Sequence, residues 1–113
     1  MPNFIVEFSA PLTEQVATDV MIDKVYSGAK ASGHFPPEAI KVRTQSRSNY
    51  RLHTGQNDFL HVAGHILSGR TDEQKKVISE AILTELKTLP LSSVFVSVEI
   101  VDIHRESFVD HTF

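Results

Sequence analysis

Apolar and polar residues alternate from Asn3 to Phe8, with Phe4, Val6 and Phe8 on one side and Ile5 among polar neighbours on the other. A period of two is that of a β-strand. After Pro11 the spacing lengthens. Leu12, Val16, Val20, Met21, Val25 and Ala29 recur at three- and four-residue intervals, with Glu14, Asp19 and Lys24 between them, which predicts an amphipathic helix that ends near Gly33. The pair Pro36-Pro37 cannot continue a helix. Ile40 and Val42 then alternate with Lys41, Arg43 and Gln45, predicting a second strand over residues 39–45. Residues 46–58 are polar and contain Asn49, Gly55, Asn57 and Asp58, so they read as a loop with room for a short hairpin.

The second half repeats this order. Phe59 to Leu67 is a strand candidate, followed by a tight turn at Gly69-Arg70. The Thr71 hydroxyl is placed to cap a helix, and Gln74 three residues on completes a capping box. Ile78, Ile82, Leu86 and Leu89 form the apolar stripe, Pro90 marks the exit, and Val94 to Ile103 is the most β-branched run in the chain. The predicted fold is therefore α/β (α+β): two βαβ units forming a four-stranded sheet with two helices on one face. Residue-level repetition is absent, but the matching element order suggests a pseudo-twofold axis between the units. The uncovered sheet face needs a partner, since Phe95, Val96, Val98, Ile100 and Val101 put apolar groups on both sides of the last strand. Self-association is the simplest cover.

Composition narrows the classes. A length of 113 residues predicts a single domain, 1–113, and 41% hydrophobic with 22% charged residues is an ordinary globular balance. The apolar stretches fall far below the ~20 residues of a membrane span. The N-terminus has no basic lead and carries Glu7 early, unlike a secretory signal, so the expected location is the cytoplasm. With no cysteine, disulfides, thiolate metal sites and cysteine nucleophiles are excluded. A net charge of −3 with scattered Lys and Arg offers no stripe for nucleic acid.

Three sets of residues are candidates for chemistry. Pro2 would become a terminal secondary amine at the start of the first strand if Met1 were removed. An α-amino group has a reference pKa of about 7.7 to 8.0, and burial or nearby cations lower it towards the range where a general base works best. Lys41 and Arg43 share a strand face, and Arg70 precedes a helix start, where free amides and the helix dipole favour an anion. Arginine suits a carboxylate through its planar fork. Arg47, Arg51 and Arg105 read as surface residues. His61 and His65 lie four apart, but in a strand that is about 13 Å at ~3.3 Å per residue, too far for one metal ion. His34, His53, His104 and His111 are dispersed, and neither a Gly-x-Ser-x-Gly elbow nor a phosphate-cradling glycine loop is present.

Four fragments together resemble the 5-carboxymethyl-2-hydroxymuconate isomerase family of the tautomerase superfamily. They are Pro2-Asn3-Phe4-Ile5-Val6-Glu7, Gly33-His34-Phe35-Pro36, Gly55-Gln56-Asn57-Asp58-Phe59 and Gly69-Arg70-Thr71, in the family's order and at compatible spacing. The resemblance implies a trimer of double-βαβ subunits in aromatic-acid catabolism that needs no cofactor or metal. It implies that the terminal proline takes a proton from a carboxylated dienol or enol substrate and returns it to carbon further along, while arginines bind carboxylates. Pro2, Arg43 and Arg70 fit that pattern. Lys41 departs from it, because Ile40-Lys41-Val42-Arg43 stands where the family resembles Ile-Arg-x-Arg. Two other readings accompany this one: a different superfamily reaction (arylpyruvate keto-enol tautomerase, hydratase or dehalogenase), and a non-catalytic oligomeric binding module.

Overall fold

A computed structural model of the chain describes residues 1–53 and 55–113. The elements run β1 (Asn3–Ser9), a 3-10 turn (Ala10–Glu14), α1 (Thr18–Ala31), a second 3-10 turn (Pro37–Ala39), β2 (Lys41–Arg47), β3 (Asp58–Leu67), α2 (Asp72–Leu86), β4 (Val94–Ile103) and a last 3-10 turn (Arg105–Ser107). The strands lie in the order β2-β1-β3-β4. Each outer pair is parallel and the central pair, β1 with β3, is antiparallel. This is the arrangement expected of two βαβ units about a pseudo-twofold axis, and it fixes what meets at each end of the sheet. The starts of β1 and β2 lie beside the ends of β3 and β4, with Asn3 aligned on both Lys41 and His65.

The alternating pattern decides which face is buried. Phe4, Val6 and Phe8 of β1 and Leu60, Val62 and Ile66 of β3 pack with Met21 and Val25 of α1 and Ile78, Ile82 and Leu86 of α2 in one core. Each such side chain contributes roughly 1.5–3 kcal/mol on burial. The two helices approach closely at Gly28, where a Cβ would stand 2.6 Å from the Ile82 Cα. The opposite sheet face carries Ile5, Ala63 and Val101 among polar residues, and Phe95 there is 53% exposed.

The sequence reading needs correction at α1. Leu12 and Val16 are buried as their spacing requires, but they are not in the helix. Pro11 sits in the 3-10 turn that ends at Glu14, and Ala17 is extended (φ −73°, ψ 151°), so the α-helix begins only at Thr18. The Gln15 amide is exchanged with Ser92: its Nε2 donates to the Ser92 carbonyl at 3.1 Å and its Oε1 accepts from the Ser92 amide at 2.9 Å. That pair pins the break to the turn before β4. Val20, 38% exposed, lies off the buried stripe.

The predicted capping box on α2 is present. Gln74 N–H donates to Thr71 Oγ1 at 3.2 Å and Thr71 N–H donates to Gln74 Oε1 at 2.9 Å, which stabilises the helix by about 1 kcal/mol. The loop is shorter than expected, residues 48–57, because the parallel ladder with β1 carries β2 on to Arg47. Its described residues form no hairpin strand. Instead Tyr50 donates its hydroxyl to the Asn57 carbonyl at 3.3 Å and packs its ring edge-on against Phe59. Among the described residues no helix is long and apolar enough to cross a membrane.

Candidate active site

β1 begins at one end of the sheet, and Pro2 stands directly before it, fully buried. The Pro2 carbonyl accepts the Lys41 amide at 3.2 Å, which ties the start of β2 to it. While Met1 is attached, the Pro2 nitrogen is an amide with no basic lone pair. β3 runs antiparallel to β1 and so delivers the next segment to the same end. There Gly69, at φ +127°, turns the chain in a conformation that suits glycine and sets Arg70 ahead of the capped helix.

Arg70 is held from two directions. One terminal nitrogen, Nη2, donates to the His34 carbonyl at 2.8 Å. Its guanidinium carbon lies 4.7 Å from the centroid of the Phe35 ring, a cation–π geometry. Phe35 in turn meets Phe4 edge-on, with centroids 6.0 Å apart and planes at 77°. No carboxylate pairs with Arg70 among the described residues. A guanidinium carries five N–H donors, so most of its fork is open to an anion.

Lys41 and Arg43 are both exposed and share the face away from the helices, as their spacing requires. Lys41 Nζ donates to the Ala39 carbonyl at 3.2 Å. Arg43 aligns with Ile5 in the ladder, and its side chain makes no hydrogen bond or ion pair among the described residues. Thus Lys41 meets Pro2 through the backbone, whereas among the described residues no polar contact joins Arg43 to Pro2 or Arg70. The start of α2 is also less open than expected. The capping box occupies the Thr71 and Gln74 amides, and Asp72 and Glu73 already complement the dipole in the first turn. An anion arriving at this end would meet the guanidinium rather than the capped helix start.

The remaining candidates have local roles. His61 sits between strands, its Nδ1 2.6 Å from Ser97 Oγ and its Nε2 against Glu99. Among the described residues no group of three or more His, Asp or Glu is arranged to hold a metal. Arg47 pairs with Glu7 at 2.7 Å, and Arg105 donates twice to the Ser68 carbonyl, at 2.9 and 2.8 Å. Arg51 is exposed, but with Leu52, His53, Gln56 and Phe95 it lines a cavity of about 340 Å³ at the opposite end of the sheet from Pro2. The sequence reading missed the support of Arg70 by Phe35 and the His34 carbonyl. The motif Gly33-His34-Phe35-Pro36 marked the turn, but its contact with a residue 36 positions later is set only by the fold.

Residues 2–108 match the family model described as 5-carboxymethyl-2-hydroxymuconate isomerase. The chain belongs to this family. It is 30% identical over 90 residues to the 5-carboxymethyl-2-hydroxymuconate Delta-isomerase of Escherichia coli, covering 78% of this chain and 71% of that protein. Among solved structures, the isomerase of the same description from Deinococcus radiodurans R1 superposes with a TM-score of 0.79 at 21% identity, over 99% of this chain and 90% of that one. A "Q0 fused 4-OT wild type symmetric trimer" gives a TM-score of 0.69 at 17% identity, over 89% of this chain and 85% of that one. At those identities the structural likeness establishes the fold, and the double-βαβ sheet of this isomerase family is that of the tautomerase superfamily.

Proposed function

We propose that the chain is a cofactor-independent isomerase that moves a proton within a carboxylated dienol or enol acid, as the names of its relatives suggest. Pro2, once Met1 is removed, is the base. Burial disfavours the charged ammonium, and the cations nearby act in the same direction, so the amine is biased towards its neutral, proton-accepting form. In the reaction the Pro2 nitrogen takes the enol hydroxyl proton, the O–H electron pair shifts through the conjugated chain, and the same proton is returned to a distal carbon. One O–H bond breaks and one C–H bond forms, with no net gain or loss of atoms or electrons.

Arg70 grips a substrate carboxylate through the free part of its fork, and Arg43 with Lys41 supplies the second anion contact. Positive charge fixed before the reaction stabilises the dienolate as it develops. Lys41 offers a point charge rather than a fork, so its grip on that second anion is weaker than an arginine's. The observation that carries this reading is an Arg70 guanidinium held by neutral groups, unpaired by any described carboxylate, at the sheet end where Pro2 precedes β1. A homotrimer fits the exposed Phe95 on the uncovered face and the fold's likeness to a fused trimer.

The test is a panel of enol acids followed by ultraviolet absorbance on protein whose mass lacks methionine. We expect 5-carboxymethyl-2-hydroxymuconate or 2-hydroxymuconate to ketonise fastest, with a monoester turned over more slowly. Faster turnover of an arylpyruvate enol or a haloacrylate would replace this reaction with another of the superfamily. No turnover of any member would favour a binding module.

A further inference from the structure

We infer that Phe35 is a positioning residue for Arg70, fixing the direction in which its guanidinium meets the substrate carboxylate. The inference rests on the reading of Arg70 as an anion contact and adds the reason that its fork is ready before substrate arrives. An arginine side chain has many rotamers, and that freedom must be lost if it is to grip a carboxylate in one geometry. Here part of that loss has already been met. The Phe35 ring supplies a flat π face 4.7 Å below the guanidinium carbon, while the His34 carbonyl accepts from Nη2 at 2.8 Å.

Both partners are neutral, which separates this device from an ion pair. A carboxylate in the same place would hold Arg70 as firmly but would compete with the substrate for it. An aromatic face and a carbonyl hold the guanidinium and leave its positive charge uncancelled. The platform is itself fixed. Phe35 is 8% exposed and rests edge-on against Phe4, which is fully buried. Phe4 has its place because position 64 is glycine: a Cβ there would stand 2.7 Å from the Phe4 ring. Gly64, Phe4, Phe35 and Arg70 thus form a stack that runs from β3 through β1 and the turn after α1 to the loop after β3.

The experiment compares Phe35→Leu, which keeps apolar volume and loses the π face, with Phe35→Tyr, which keeps both, each also made in an Arg70→Ala background. Phe35→Leu is expected to raise KM for the carboxylated dienol about tenfold while kcat changes less than about threefold. Phe35→Tyr should stay near the parent. In the Arg70→Ala background Phe35→Leu should change KM no further, and the KM for an uncharged ester of the same enol should not respond. Equal effects of Phe35→Leu with and without Arg70, or on charged and uncharged substrates alike, would overturn the inference and leave Phe35 a packing residue. If Arg70→Ala alone leaves KM unchanged, the anion-contact reading fails and the inference fails with it. A readout on the unmutated protein does not depend on either variant folding. The Arg70 side-chain NMR signals should show a ring-current shift and restricted motion, whereas signals of a freely rotating arginine would contradict the proposal.

Discussion

Arg70 and Lys41, at one end of the sheet, are held differently from the polar groups at the other end. Towards the end where β3 begins, polar side chains satisfy one another: the Ser9 hydroxyl donates to Asp58 at 2.7 Å and accepts the Phe59 amide at 3.0 Å, and Arg47 pairs with Glu7. At the end where β1 begins, Arg70 leans on a ring and a carbonyl, Lys41 on a carbonyl, and no described carboxylate neutralises either. Internal pairing stabilises a fold but leaves nothing for a ligand. Unneutralised cations at the end where β1 begins would serve an arriving anion, and on the proposed reading this difference separates the structural end from the chemical one.

Substitutions can break that comparison. Arg70→Ala should have the largest effect, lowering kcat/KM by about 10²- to 10³-fold, the usual loss when a donor aimed at developing charge is removed. Its thermal unfolding should shift little. Ser9→Ala should do the reverse, because it leaves the buried Asp58 carboxylate and the Phe59 amide each short of a partner. We expect a loss of about 1–3 kcal/mol in denaturant unfolding with kcat/KM within twofold of the parent. Lys41→Arg restores a planar fork and should lower KM by about two- to fivefold in the same absorbance assay. Arg47→Gln should be smallest, below about 1 kcal/mol and without kinetic effect, since its ion pair is half-exposed. If Ser9→Ala abolished turnover while Arg70→Ala merely destabilised the chain, the assignment of the two ends would be reversed.

The sequence made much of this plan readable. Strict alternation in β1 and β3 settles which residues enter the core, and the Thr71–Gln74 box marks the start of α2 to the residue. The start of α1 was hidden because Leu12 and Val16 keep helical spacing while sitting in a 3-10 turn and in the bend after it. Burial imposed the spacing there, and the backbone met it another way. At the site, Arg70 was legible from its place after Gly69 and from the family resemblance. Its partners His34 and Phe35 were not, since carbonyl and cation–π contacts across 36 and 35 residues leave no local pattern. Arg51 reads as a surface residue because it has no place on a predicted strand face or helix start, and it is exposed. Its place on a cavity with Phe95 depends on the loop packing back over the start of β4.

The central claim is that a free Pro2 amine is the base, and the most direct measurement compares two preparations of the same chain. One begins at Pro2, as verified by intact mass, and the other retains Met1. Ketonisation of a 2-hydroxymuconate is then followed at equal protein concentration. The account predicts turnover by the processed protein and none above background by the form that keeps methionine, because an acylated nitrogen cannot accept the proton. Equal turnover by both forms would contradict it, since the base would then lie elsewhere.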